Sequence, residues 1–182
     1  MSPRRGQQRR RARRGSGAGT SGAPQRPTRY QMREKLVSFG NDFTIKTADG
    51  RPAFKVDGKA LRMRNTIKIR DTAGRSLYTV QERMVRVKST MVVETDGRTV
   101  ATIQKALVTP LRDRFDVKVA GGPNLHVQGN IVDHEYRITR QGTPVAEVSK
   151  RWIRVRDTYG VEVQPGEDDA FLLAVVAAID AI

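Results

Sequence analysis

Residues 167–182 read EDDAFLLAVVAAIDAI, in which an unbroken apolar run, Ala170–Ile179, follows three acids and leads into Asp180. A helix that is apolar on every side cannot lie on a surface, so something must surround it. Ten residues at ~1.5 Å rise reach about 15 Å, half of the ~30 Å hydrocarbon core that a transmembrane helix must cross. The surround is therefore expected to be protein. From about Tyr30 to this run the chain reads as strand and turn, which predicts a mainly β fold: a closed antiparallel barrel plugged by a central, hydrophobic C-terminal helix.

A repeat supports the barrel. Gly50, Gly74, Gly97, Gly121 and Gly142 are spaced by 24, 23, 24 and 21 residues, and each is followed six residues later by a β-branched aliphatic: Val56, Val80, Ile103, Val127 and Val148. Ala53, Leu77 and Val100 alternate between them, and most glycines are preceded by an alternating stretch such as Phe43-Thr44-Ile45, Ile67-Lys68-Ile69 or Tyr136-Arg137-Ile138. Each unit reads as one hairpin. Asp49-Gly50, Asp57-Gly58, Asp96-Gly97 and Gln141-Gly142 are suited to its turns, because glycine takes positive φ at low steric cost. A solenoid of this period has no place for a wholly apolar helix, whereas closing the hairpins removes exposed edges and creates an interior.

The charge divides the chain into a tail, 1–29, and a domain, 30–182. The tail carries nine arginines, no lysine and no acid; seven of them, Arg4, Arg5, Arg9, Arg10, Arg11, Arg13 and Arg14, form one cluster. Removing the nine from the chain's 34 basic residues leaves 25 against 19 acids, a net charge of +6 rather than +15. The tail is expected to be disordered, since it has little apolar surface to offset chain entropy. Charge alone allows it to attract nucleic acid or anionic lipid headgroups. No apolar segment follows the arginines, so the cluster is not read as a secretory signal. The GxGxxG match at Gly17–Gly22 lacks a flanking strand and helix and is not read as a dinucleotide site. The absence of cysteine removes disulfides, thiolate metal sites and a cysteine nucleophile, and suits a cytoplasmic protein.

Chemistry-bearing motifs are scarce. There is no GxxxxGK[ST], HExxH or GxSxG. His126 and His134 are the two imidazoles. In Asp133-His134-Glu135 a strand would turn the middle side chain away from its neighbours, so His134 reads as structural and no metal site or cofactor is expected. Glu167, Asp168 and Asp169 read as acids that complement the helix dipole. Two basic stretches remain. In Trp152-Ile153-Arg154-Val155-Arg156 a period of two places Ile153 and Val155 inside and Trp152, Arg154 and Arg156 outside, with Lys150 nearby; Val85-Arg86-Val87-Lys88 does the same with Arg86 and Lys88. These six residues form the expected anion-binding patch.

GNIVDHEYRITRQGTPVAEVSKRWIRVRDTYGVEVQPGEDDAFLLAVVAAID, together with YQMREKLVSFGNDFTIKTADGRPAFKVDGKALRMR, resembles the LURP-one-related family. Ser149-Lys150-Arg151-Trp152, Asp157-Thr158-Tyr159-Gly160 and the apolar helix occur in the family's order. The resemblance implies kinship with tubby C-terminal domains and phospholipid scramblases, and a barrel of about twelve strands threaded by the helix. It implies a calcium-associated loop at 157–169, from which Thr158 and Tyr159 depart. The expectation is a non-enzymatic, monomeric, cytoplasmic or membrane-peripheral module for anionic or phosphorylated ligands, phosphoinositide or anionic membrane first, with no transmembrane span. Nucleic-acid association through the tail and scramblase-like lipid transport are the alternatives.

Overall fold

The computed structural model describes residues 25–34, 42–57, 66–85, 88–106 and 113–182, without the side chains of 84, 85, 88, 89 and 113. The tail up to residue 24 lies outside the described residues, as does Gly58 of the Asp57-Gly58 turn. Twelve strands form a closed barrel: β1 (Thr28–Arg33), β2 (Phe43–Thr47), β3 (Pro52–Asp57), β4 (Thr66–Arg70), β5 (Ser76–Val85), β6 (Lys88–Thr95), β7 (Arg98–Lys105), β8 (Asp113–Val119), β9 (Leu125–Asn130), β10 (Glu135–Arg140), β11 (Thr143–Ser149) and β12 (Thr158–Val163). Each pairs antiparallel with its sequence neighbours, and β1 closes on β12 from Thr28↔Val163 to Arg33↔Thr158. The first strand therefore begins two residues before the expected domain start, and Arg29, read as tail, is part of the wall.

The glycine repeat is the barrel's hairpin period. Gly50, Gly74, Gly97, Gly121 and Gly142 all have φ between 73° and 91°, and Asp96 and Gln141 precede two of them at φ 49°. Two successive positive φ values make the turn that matches strand twist. Val56, Val80, Ile103, Val127 and Val148 all point inward, with at most 1% exposure. The residue three after the glycine departs from plain alternation. Ala53, Leu77, Val100 and Val145 are each skipped in the ladder, where the register shifts at Ile45/Lys46, Ile69/Arg70, Val93/Glu94 and Ile138/Thr139. These bulges recur at one level of the wall, where an extra residue increases the twist and curvature needed for closure.

All five glycine turns lie at one end of the barrel, the glycine end; the connections 131–134 and 150–157 lie at the opposite or loop end. Helix α1 (Asp169–Asp180) runs through the interior from the first to the second, with Ala170–Ile179 all buried. Asp168 caps its start by accepting a hydrogen bond from the Phe171 amide at 2.9 Å. The wall also holds these acids: Tyr78 donates to Asp168 at 2.6 Å, Tyr30 donates to Asp169, and Arg140 pairs with Glu167 at 2.7 Å. At the far end Asp180 is a negative charge at the unfavourable pole of the helix dipole. His134 Nε2 meets its Oδ1 at 2.8 Å, and the imidazole stacks on Tyr159 with ring centroids 4.2 Å apart. Among the described residues, no helix is long and apolar enough to cross a membrane.

Candidate functional site

At the loop end, β11 finishes in a capped 3-10 turn, Lys150–Trp152. Ser149 Oγ accepts from the Arg151 amide at 3.2 Å and donates to Glu135 at 2.9 Å, while Glu135 accepts from the Lys150 amide at 3.2 Å. The turn folds Trp152 back over Gly160 of β12. A Cβ at Gly160 would lie 3.0 Å from Trp152 Cε3 and 3.3 Å from the Ser149 carbonyl oxygen, so the indole lies there because the strand has no side chain at that point. The Arg29 guanidinium stands 4.9 Å from the indole centroid and is held there by Glu162 at 2.6 Å. Between them opens a cleft of about 170 Å³, lined by Arg29, Gln31, Trp152, Arg154 and Val155 among others.

The strand expected at 152–156 does not exist. Residues 150–157 connect β11 to β12, whose ladder with β11 starts only at Gly160, so period two has no sheet to act on. Val155, expected inside, is 61% exposed, and Ile153 is half-buried. Arg154 and Arg156 are exposed, as expected, and Arg154 has no ion-pair partner among the described residues. Arg156 has Asp157 at 4.0 Å. Lys150 is already engaged, its Nζ 2.9 Å from Glu34.

The second basic stretch is corrected in the same way. Val85 and Lys88 are cross-strand partners at the ends of β5 and β6, so 85–88 is not one strand. Arg86 lies outside the described residues, and the Lys88 side chain is not described. The start of β6 shares the loop end with Trp152 but lies on the opposite wall, six strands from β12. The patch is thus not a single surface.

The acids and imidazoles disperse as well. Asp133 accepts from Asn130 at 2.7 Å, Glu135 holds Ser149, and His134, in the turn before β10 at φ 52°, turns inward to Asp180. His126 bonds Asp116 at 3.0 Å on the outer wall.

The loop end has one further property. The exposed large hydrophobics among the described residues are Val132, Val155 and Ile182, at 78%, 61% and 42%, and all three sit there. A larger cleft, about 480 Å³, opens on the outer wall of β8–β10 around Arg114, His126, Gln128, Arg137 and Thr139. Sequence reading noted His126 only as an imidazole and Arg137 only within an alternating stretch, and assigned none of the five to a site. The available signal was alternation within three successive strands, which puts all five on the outer face.

Fold and sites together define a class: an antiparallel barrel closed around its own C-terminal helix, with polar clefts on its outside. The chain belongs to the LURP-one-related family, whose model matches residues 28–180. It is 24% identical over 151 residues to the uncharacterized protein YxjI of Bacillus subtilis (strain 168), covering 83% of this chain and 91% of that one. It is 24% identical over 165 residues to protein LURP-one-related 6 of Arabidopsis thaliana, covering 82% and 86%. An X-ray structure of an Arabidopsis thaliana protein shares the fold with a TM-score of 0.63 at 18% identity, over 85% of this chain and 90% of that one.

Proposed function

We propose that this protein is a non-enzymatic binding module that docks its loop end on an anionic membrane surface, with phosphoinositide or another anionic phospholipid as ligand. The observation that carries this reading is Val155, exposed between exposed Arg154 and Arg156 and beside the Trp152 cleft. An apolar tip flanked by guanidiniums suits the boundary between acyl chains and phosphates, where an indole is also at home. Val132 and Ile182 at the same end add apolar contact. Stable attachment takes more than one such signal, and here several share one end.

The test is vesicle co-sedimentation. A basic residue near an anionic surface contributes about 1 kcal/mol, so Arg154→Glu with Arg156→Glu is expected to weaken binding to anionic vesicles at least about 30-fold. Thermal melting should barely change, because exposed positions usually shift stability by less than ~0.5 kcal/mol. Unchanged sedimentation of the folded double variant would reduce these arginines to ordinary solvated surface.

A second reading, nucleic-acid association, rests on the seven arginines between Arg4 and Arg14, none of them with an acid nearby in sequence. Deleting residues 1–24 removes them and spares β1. Oligonucleotide binding is then expected to vanish. In the intact chain, each phosphate contact is expected to steepen log K against log salt by about 0.7–0.9. Salt-resistant, sequence-selective binding by the shortened chain would move recognition onto the barrel.

A further inference from the structure

The wall of β8, β9 and β10 carries an arrangement that the loop-end reading leaves unused. Cross-strand register sets Arg114 opposite Gln128 and Gln128 opposite Arg137, so the three form one row on the outer face. The row below it is Asp116, His126 and Thr139. Adjacent strands are ~4.8 Å apart, which puts the two arginine backbones about 10 Å from each other with an amide side chain between them.

The two arginines of this row are not balanced as three other wall arginines are. Arg29, Arg70 and Arg83 meet Glu162, Asp57 and Glu94 on adjacent strands at 2.5–2.9 Å. Arg114 has Gln128 on one side and Ala106, whose amide donates to the Arg114 carbonyl, on the other, and it has no ion-pair partner among the described residues. Arg137 has only a long contact to Glu147, at 3.5 Å between exposed groups, a geometry that contributes little in water. The nearest acid in the lower row, Asp116, is engaged by His126.

The lining also limits the kind of ligand. Every side chain that lines the cleft outwardly is polar: Arg114, His126, Gln128, Arg137 and Thr139. Val127 is fully buried toward the barrel interior, and Gly129 has no side chain. That glycine is required: at φ 150° a Cβ would lie 2.4 Å from the Glu135 carbonyl oxygen. No Phe, Tyr or Trp ring lines the cleft, its one imidazole, His126, is engaged by Asp116, and there is no apolar strip for an acyl chain. Guanidinium forks match phosphate oxygens in pairs, while an amide and a hydroxyl suit the donors and acceptors of sugar or polyol hydroxyls.

We propose that the outer wall of β8–β10 is a second binding site, specific for phosphorylated polyols, in which Arg114 and Arg137 hold phosphate and Gln128 and Thr139 hold hydroxyls. The site is independent of the Trp152 loop. The same chemistry is offered by a soluble sugar phosphate and by the glycerol phosphate headgroup of phosphatidylglycerol, so both are used as probes.

The experiment is calorimetric titration of the full chain with fructose 1,6-bisphosphate, with unphosphorylated fructose alongside, and co-sedimentation with phosphatidylglycerol vesicles. Saturable binding is expected for at least one phosphorylated probe and none for fructose. Arg114→Gln with Arg137→Gln should weaken it at least tenfold without lowering the melting temperature, whereas Arg154→Glu with Arg156→Glu, or deletion of residues 1–24, should leave the bisphosphate titration unchanged. Loss with the soluble probe assigns a free phosphorylated polyol; loss with vesicles alone assigns the lipid headgroup; either supports the site. Backbone amide shifts confined to β8–β10 on titration provide a check that does not depend on the variants. Binding that survives the Arg114/Arg137 change, shifts spread over the tail and loop end, or no saturable binding to either probe would overturn the proposal.

Discussion

Deleting residues 167–182 is expected to leave a chain that does not fold. The ten residues Ala170–Ile179 are all buried, and they face the inward residues of the wall, from Met32 and Ile45 to Val161 and Val163. Without the helix those residues would surround an empty apolar space, and interiors tolerate such voids poorly. The point substitution is nearly as severe. Leu172 and Leu173 are fully buried, and aspartate at either would put an unpaired charge where no partner can reach it. That should cost several kcal/mol, a large part of the ~5–15 kcal/mol that holds a domain together. Leu172→Met, which preserves volume, should cost less than ~1.5 kcal/mol and serves as the control. Expression and thermal melting decide. A cooperatively melting product without 167–182 would mean that the helix is a detachable membrane anchor rather than the barrel's core.

The second large effect is expected in alkali. All four tyrosines have hydroxyls held above their ordinary range. For Tyr136 and Tyr159 the main cause is burial, and the charge of Asp180 adds to it. For Tyr30 and Tyr78 burial again comes first, followed by the hydrogen bonds they donate to Asp169 and Asp168. An unfolded tyrosine ionises near pH 10. Above that pH the unfolded chain has released these protons while the folded barrel retains them, so stability is fully present below pH 10 and falls as pH rises. Each retained proton contributes about 1.4 kcal/mol per pH unit, so the two fully buried tyrosines alone give a slope near 3 kcal/mol per unit. Tyrosinate absorbance should appear together with loss of the β signal in circular dichroism, and Tyr159→Phe should make the decline shallower. Tyrosinate appearing gradually near pH 10 in a barrel that still melts cooperatively would show that the rings are open to water.

The two effects share a cause. The tyrosines that sense alkali belong to the contacts that position the helix: Tyr30 and Tyr78 hold its acidic start, and Tyr159 stacks on the imidazole that meets Asp180. An apolar helix in an apolar tube has no intrinsic depth or rotation. Polar contacts at its two ends supply both, and they are charge-assisted, which makes them stronger than neutral hydrogen bonds.

Sequence by itself determined the features that are periodic or extreme. An all-round apolar run too short for a bilayer required a protein surround, and five glycines with a β-branched residue six positions later marked five hairpins whose valines and isoleucine line the core. Local physics decides such features: positive φ at a turn, alternation along a strand, and burial of a face. The tertiary structure decided whatever depends on where a strand ends. The same repeat hides a bulge at Ala53, Leu77, Val100 and Val145, because one extra residue in a ladder appears only when the partner strand is counted. Trp152–Arg156 alternates like a strand but joins two strands, so Val155 faces water rather than the core. Lys150 and Arg154 look alike in sequence, yet Glu34 neutralises the first, while the second has no ion-pair partner among the described residues. Arg114 and Arg137 are 23 residues apart with no motif to link them, but register brings them into one row with Gln128 between. Whether a surface charge is balanced depends on its neighbours across the sheet, and cross-strand neighbours are set by closure of the barrel rather than by order along the chain.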